Sequence, residues 1–345
     1  MTIAFDARPL KPQTRHWGPG VFVSNIVSRL SSEFHFVGVA PRFLPVSGIE
    51  ISSWPALPKT GALFYEFSPL LAGPFDIFWG SIGFLPANLR KPSVVTVHDL
   101  MFINGMDQER GAGFMSWRLR SSLHRARKIV TVSKTTANDL VERFPECGSK
   151  VVPVLNGFEI SDDEVPQRDR REETPYVLML GAHHPRKNLR LAVLAVWRLQ
   201  KSGVNVRLVL TGDVHNSFAP LLIEFSGTVV ATGVLPRSDT FRLLRDAVAL
   251  MFPSQYEGFG FPILEAMACG CPVLALDTPI NREVGGEAAW LLQEDPFAWA
   301  EAIRHLLESP PLRQEISIKG SSNLARFSWE TAATAYLEIF REAAK

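Results

Sequence analysis

Two carboxylates, Glu257 and Glu265, bracket a glycine-rich stretch in Pro253 to Gly270, PSQYEGFGFPILEAMACG. Gly258 and Gly260 can take backbone angles that other residues avoid, and Pro262 is pre-set for the first helical position. The free N–H groups of a helix starting there point back at the loop. That end carries about half a positive charge and suits a diphosphate. Each acid can accept paired hydrogen bonds from a vicinal diol. A sugar on one side of a diphosphate and a ribose on the other supply two such diols. The plainer reading, in which Glu257 caps the helix and Glu265 is solvated, fails to explain why glycines, proline and both acids share one register.

A second cluster is Gly181-Ala-His-His-Pro-Arg186-Lys187-Asn188-Leu189, just after an apolar run. Adjacent cations at the carboxyl end of a strand can neutralise charge growing on a leaving diphosphate, and Lys187 with Arg186 is expected to do so. Standing alone, the same stretch reads as a helix entry with solvated basic residues. Nearer the N-terminus, Gly18-Pro19-Gly20 precedes a helical pattern from Val21 to Leu30 and is expected to be a turn that lets the backbone approach a ligand. His98 ends another apolar run, where a neutral imidazole can bond a hydroxyl. Asp99 can equally cap the next turn. Trp117, Arg118, Arg120, His124, Arg125, Arg127 and Lys128 form a basic helical face, either simply solvated or a contact with anionic lipid.

The elements that must position these residues are short apolar runs alternating with helical patterns. In the first half they are Thr2 to Asp6, Phe36 to Ala40, Ile77 to Trp79, Val94 to His98 and Ile129 to Ser133. In the second they are Tyr176 to Leu180, Val206 to Gly212, Val229 to Ala231, Ala249 to Pro253 and Val273 to Ala275. Such alternation predicts two α/β Rossmann-like, doubly wound parallel sheets, with ligands outside the carboxyl ends of the strands. The polar run Glu159 to Thr174 is the expected linker. The expected domains are therefore 1–160, a linker at 161–174, a second domain at 175–327, and a terminal helix at 328–345. A chain of 345 residues suits two domains, and 36 basic against 35 acidic side chains leave no global field to attract nucleic acid. Cys269 and Cys271 are too close for an ordinary disulfide, so these and Cys147 read as reduced thiols. With no secretory leader and no membrane-spanning run, a cytoplasmic chain is expected.

The Glu257 to Glu265 motif, preceded by Pro-Ser and followed by Ala-Met-Ala-Cys-Gly-Cys-Pro-Val, resembles the retaining GT-B glycosyltransferases of the family-4 type. Pro-Arg-Lys-Asn at 185–188, Thr131-Val-Ser133-Lys134, Leu155-Asn156-Gly157 and Thr232-Gly233-Val234-Leu235 agree with it. The resemblance implies two domains facing across a cleft, with the last helix crossing back to the first. It implies a nucleotide-sugar donor, with Glu257, Phe259, Gly260 and Phe261 at the sugar and phosphates and Glu265 at the ribose. Gly233, Val234 and Leu235 then line the base, and Gly18, Gly20 and Gly181 offer backbone amides. It further implies retention of anomeric configuration, no metal and no other cofactor, and a glycan or lipid-linked bacterial acceptor. His-Asp-Leu at 98–100 points to the mannosyltransferase-like subgroup and to His98 as a functional residue. Two features depart from the family pattern: Ala182 stands where an Arg is common, and Val21-Phe22 where Arg-Tyr is frequent. A sugar-nucleotide epimerase or hydrolase on the same architecture, and a non-catalytic binding subunit, are the alternatives.

Overall fold

A computed structural model describes residues 1–11, 14, 18–41, 49–54, 65, 66, 70, 72–101, 103, 112–160 and 174–345. The chain divides into two compact units, Met1–Gly157 with Phe327–Lys345, and Phe158–Arg326. Residues 161–173 of the expected linker lie outside the described residues.

In the first unit the order is β1 (Thr2–Asp6), α1 (Gly18–Leu30), β2 (His35–Pro41), β3 (Glu50–Trp54), β4 (Ile77–Gly80), β5 (Ser93–Val97), α2 (Ala112–Arg125), β6 (Lys128–Thr131), α3 (Lys134–Arg143) and β7 (Val151–Pro153). The strands form one parallel sheet in the order β3-β2-β1-β4-β5-β6-β7. The central strands are buried almost throughout because helices cover both faces, and this is why they read as continuous apolar runs. Helix α1 begins at Gly18, so Gly18 to Gly20 form its first turn rather than the expected free turn. Pro19 tolerates that place because first-turn N–H groups need no intrahelical partner.

The second unit runs β8 (Tyr176–Ala182), α4 (Leu189–Lys201), β9 (Arg207–Val214), α5 (Ala219–Glu224), β10 (Val229–Gly233), α6 (Arg237–Asp246), β11 (Leu250–Phe252), α7 (Phe261–Ala268), β12 (Val273–Leu276), α8 (Pro279–Gly285), β13 (Ala289–Leu292), α9 (Pro296–Glu308) and α10 (Pro310–Leu324). Its sheet is again parallel, ordered β10-β9-β8-β11-β12-β13. Strand order reverses between β1 and β4 in one unit and between β8 and β11 in the other. At such a switch point neighbouring loops diverge to opposite faces and leave a crevice at the carboxyl ends of the strands. The fold is thus a pair of Rossmann-like domains.

The terminal helix α11 (Trp329–Ala344) belongs to the first unit. Its N-cap Ser328 accepts from the Thr331 N–H. Buried Trp329, Tyr336 and Phe340 join Phe22, Trp79, Phe34 and Phe36 in one aromatic cluster. Inside it the Tyr336 hydroxyl and Thr96 Oγ1 are 2.6 Å apart, and Trp79 Nε1–H donates to the same Thr96 oxygen at 2.9 Å. Gly157 lies against this helix so closely that a Cβ there would meet the Trp329 backbone nitrogen at 2.3 Å.

Candidate active site

Arg186, Lys187 and Glu257 meet at the switch point of the second unit. Near the end of β8 the chain passes through Gly181, whose φ of +71° suits glycine, and then enters a single 3-10 turn at Pro185–Lys187. His184 caps that turn, its Nδ1 accepting from the Arg186 N–H at 3.1 Å. Asn188 follows with φ of +52°, and its side-chain amide donates to Glu294 Oε1 at 2.8 Å. The strand neighbour β11 sends out the second loop, joined to the first where the Gln255 N–H donates to the Arg186 carbonyl at 2.9 Å. Two loops distant in sequence are thereby fixed in one place.

Lys187 Nζ donates to Glu257 Oε1 at 2.6 Å, and Arg186 Nη1 pairs with Glu257 Oε2 at 2.7 Å. Arg186 Nη1 also reaches the Tyr256 carbonyl at 2.6 Å, while its Nε is buried without a hydrogen-bond partner among the described residues. The Lys187 ammonium lies 5.4 Å from the centre of the Phe252 ring. Lys187 is only 6% exposed, so its charge is held by the cluster and not by water. Burial pulls the Lys187 ammonium below its ordinary value against the pull of Glu257. Burial would raise the Glu257 carboxyl, but Lys187 and Arg186 overcome it and hold the group below the usual carboxylate range. Two cations on one carboxylate leave a net positive charge. That surplus favours an incoming anion.

Beside this cluster, α7 starts at Phe261 with Gly260 as N-cap, its φ of +117° reserved to glycine. Only Gly260 of the expected glycine pair takes such an angle, and Pro262 stands second in the helix instead of first. Phe259 buries its ring, 5.0 Å from that of Phe261, so it can offer a ligand its main chain but not its side chain. Glu265 lies in the second turn of α7. Among the described residues its carboxylate makes no hydrogen bond and no ion pair. Burial pushes it above the usual range, with Arg237 at the start of α6 pulling the other way. A part-buried carboxylate with no hydrogen-bond donor on it has its acceptor sites open to hydroxyls. Gly233, with φ of +72°, ends β10, and Val234 and Leu235 lead on towards Arg237. Val234 is 70% exposed, which leaves this short connection accessible.

His98, Gly18 and Gly20 belong to the first unit. The His98 Nε2–H donates to the Ser81 carbonyl at 2.8 Å, so Nδ1 carries the lone pair of a neutral ring. Burial lowers its proton affinity, which keeps it neutral. Its ring meets Phe22 edge-on at 5.1 Å and lines a recess of about 180 Å³ with Pro19, Gly83, Phe84 and Leu119. Asp99 takes its turn-capping role, Oδ1 accepting from the Met101 N–H at 3.0 Å.

The basic stretch is divided between α2 and the start of β6, and most of its side chains are tied to neighbouring groups. Arg118 pairs with Glu66 at 2.6 Å, Arg125 donates to the Pro86 carbonyl at 2.7 Å, and Arg127 donates to the Ala343 carbonyl at 2.8 Å. Lys128 pairs with Glu342 at 2.7 Å. Among the exposed side chains are Arg120, which pairs with Glu146 at 3.1 Å, and a stacked aromatic pair, Phe114 and Trp117, whose ring centres are 5.9 Å apart. Among the described residues one group could supply three metal donors, His124, Glu146 and Cys147, also in the first unit. All three cysteines are free and buried, and burial raises the Cys269 thiol to about 12. No described helix is long and apolar enough to cross a membrane.

Sequence reasoning did not assign a role to His183, His184, Gln255 or Glu294. A histidine immediately before Pro at a helix entry was a usable signal for His184 as a cap. Glu294, distant in sequence from both loops, left none.

The model for Glycosyltransferase Family 4 matches residues 19–162, and that for Glycosyl transferases group 1 matches residues 161–322. The chain belongs to the group 1 glycosyltransferases. A relative, the O-antigen chain mannosyltransferase B of Escherichia coli, is 29% identical over 291 residues, 77% of this chain and 74% of its own. The GT-B fold is shared with sucrose-phosphate synthase from Thermosynechococcus elongatus, at a TM-score of 0.80 and 18% identity over 99% of this chain and 98% of that one. It is shared too with HepE of Anabaena in complex with UDP-glucose, at a TM-score of 0.76 and 15% identity over 99% and 100% of the two chains. This glycosyltransferase therefore carries its Arg186, Lys187, Glu257 and Glu265 within the segment matched by the group 1 model.

Proposed function

We propose that the chain is a retaining, metal-independent hexosyltransferase that takes mannose from GDP-mannose and passes it to a bacterial glycan or lipid-linked acceptor. The observation that carries this reading is the buried Arg186–Glu257–Lys187 cluster beside the glycine-started helix α7. The sugar named for the O-antigen chain mannosyltransferase B relative supports the choice of mannose.

Each Glu257 oxygen is engaged by one cation and retains lone-pair capacity for a sugar hydroxyl. Glu257 then orients both the sugar and the cations. Glu265 takes the ribose diol, and the main chain at 233–235 takes the base. As the bond from the anomeric carbon to the phosphate oxygen breaks, its electron pair goes to the diphosphate. Lys187, Arg186 and the first N–H groups of α7 stabilise that charge. The acceptor oxygen bonds the anomeric carbon on the same face, and its proton passes to the departing phosphate. His98 is assigned to a substrate hydroxyl.

Thermal-shift measurements with GDP, UDP and dTDP test the donor, because a ligand that binds only the native state raises its melting temperature. GDP should raise it most. A larger rise with UDP or dTDP overturns the donor, and no rise with any of them overturns the site. Product analysis by NMR should show the donor's anomeric configuration kept; an inverted linkage, turnover without acceptor, or loss of activity with a chelator contradicts the mechanism.

A further inference from the structure

His183 lies on the β8 loop between Gly181 and the Arg186–Lys187 pair, and the proposed mechanism leaves it unused. A Cβ built at Gly181 would stand 3.4 Å from His183 Nδ1, so the ring folds back over the glycine turn instead of leaving the site. The residue is exposed, and among the described residues its imidazole has no hydrogen-bond partner. Its neighbour His184 is committed to capping the 3-10 turn, which leaves His183 as the free histidine of the loop.

We propose that His183 is a proton-linked ligand of the donor diphosphate, taking up a proton as the diphosphate binds. This rests on the reading of the switch-point crevice as the donor site. The charged and titratable groups that act on the imidazole are Lys187 and Arg186 of the 3-10 turn, Glu257 of the β11 loop and adjacent His184. Strand β9, which pairs Val214 with Ala182, brings Asp213 and His215 to the same edge, and His215 turns Nδ1 towards Ser217. Burial and then the two cations lower the His183 proton affinity from its ordinary value, with Glu257 opposing them. A bound diphosphate brings negative charge among the same cations and reverses that balance. The ring then takes a proton from the buffer and donates a charge-assisted hydrogen bond to a phosphate oxygen. Donor affinity consequently rises as pH falls through the window between the lowered empty-site value and the higher bound-site value. If binding raises the midpoint by about one unit, the imidazolium form binds about tenfold more tightly than the neutral form.

The test is an NMR titration of histidine-labelled protein between pH 5 and 8, with and without saturating GDP or UDP, the His183 signal being assigned by His183→Gln. We expect a midpoint below about 6.5 in the free protein and at least about one unit higher in the complex. In His183→Gln the tightening of GDP affinity on acidification should shrink by the corresponding factor. If the nucleotide raises the melting temperature while the His183 midpoint stays fixed, the inference falls and the donor site stands. If no nucleotide binds, both fall.

Discussion

Lys187 and Glu257 come from loops after two different strands, seventy residues apart in sequence, yet their charged atoms are 2.6 Å apart and both are almost removed from water. Arg186 occupies the other oxygen of the same carboxylate at 2.7 Å, so the three groups hold one charge more than they cancel. This surplus is what a diphosphate would answer.

Removing the acid and removing the lysine should have different consequences. Lys187→Ala leaves Glu257 paired with Arg186, so the fold should persist while kcat falls about 10²- to 10³-fold, the scale of a lost transition-state charge contact. Glu257→Ala leaves two cations facing each other with nothing between them, and should destabilise the unit by about 3 kcal/mol or more. Urea denaturation beside steady-state kinetics separates the two; equal stability loss in both variants would contradict the charge count.

The same pair sets a pH limit on stability. The folded Glu257 carboxyl is held below its unfolded value, so its contribution is complete above about 4.5 and is lost as pH falls through the lower folded value. Melting temperatures of the parent and Glu257→Gln, measured from pH 7 down to 3, should converge at the acid end. A constant gap across that range would show that the carboxylate is not selectively stabilised.

Glu265 has the opposite sign. Its carboxyl is raised by burial and lacks a hydrogen-bonding partner among the described residues, so its charge costs stability above the raised value. Glu265→Gln should therefore melt no lower than the parent at pH 7, and slightly higher is expected. Affinity for GDP should drop about tenfold or more as charge-assisted bonds to the ribose are lost. A variant that melts lower and binds GDP unchanged would place Glu265 in the fold's support instead.

The stacked pair on α2 offers a separate test. Phe114 and Trp117 are 59% and 63% exposed, and Arg120 beside them is 66% exposed in its side chain. An aromatic pair with an adjacent cation suits a lipid interface. Trp117→Ala with Arg120→Glu should abolish co-sedimentation with anionic liposomes, whereas absence of pelleting in the parent defeats the idea.

The central strands and the switch-point loops were legible in sequence because strands buried on both faces read as unbroken apolar runs. Strands β3, β7 and β13 were not, and all three lie at sheet edges. Edge strands need no apolar run on both sides and tolerate polar residues and proline, as in Glu50–Trp54 and at Pro153. Gly18 to Gly20 read as a turn because glycine and proline punctuate local patterns, whereas packing of α1 in the first unit carries the helix through them. At the site, residue types and spacing pointed to Lys187, Glu257 and Glu265. They could not reveal that Arg186 and Lys187 share one carboxylate, since that geometry depends on β8 lying beside β11. The pairing of Arg118 and Arg125 was hidden for the same reason: their partners lie far along the chain.

A crystal structure of the protein with GDP bound tests the central claim most directly. The account predicts diphosphate oxygens within about 3 Å of Lys187 Nζ and of the first N–H groups of α7, with the ribose hydroxyls on Glu265. A nucleotide lying elsewhere, with the Arg186–Glu257–Lys187 cluster untouched and Glu265 still without a partner, would contradict it.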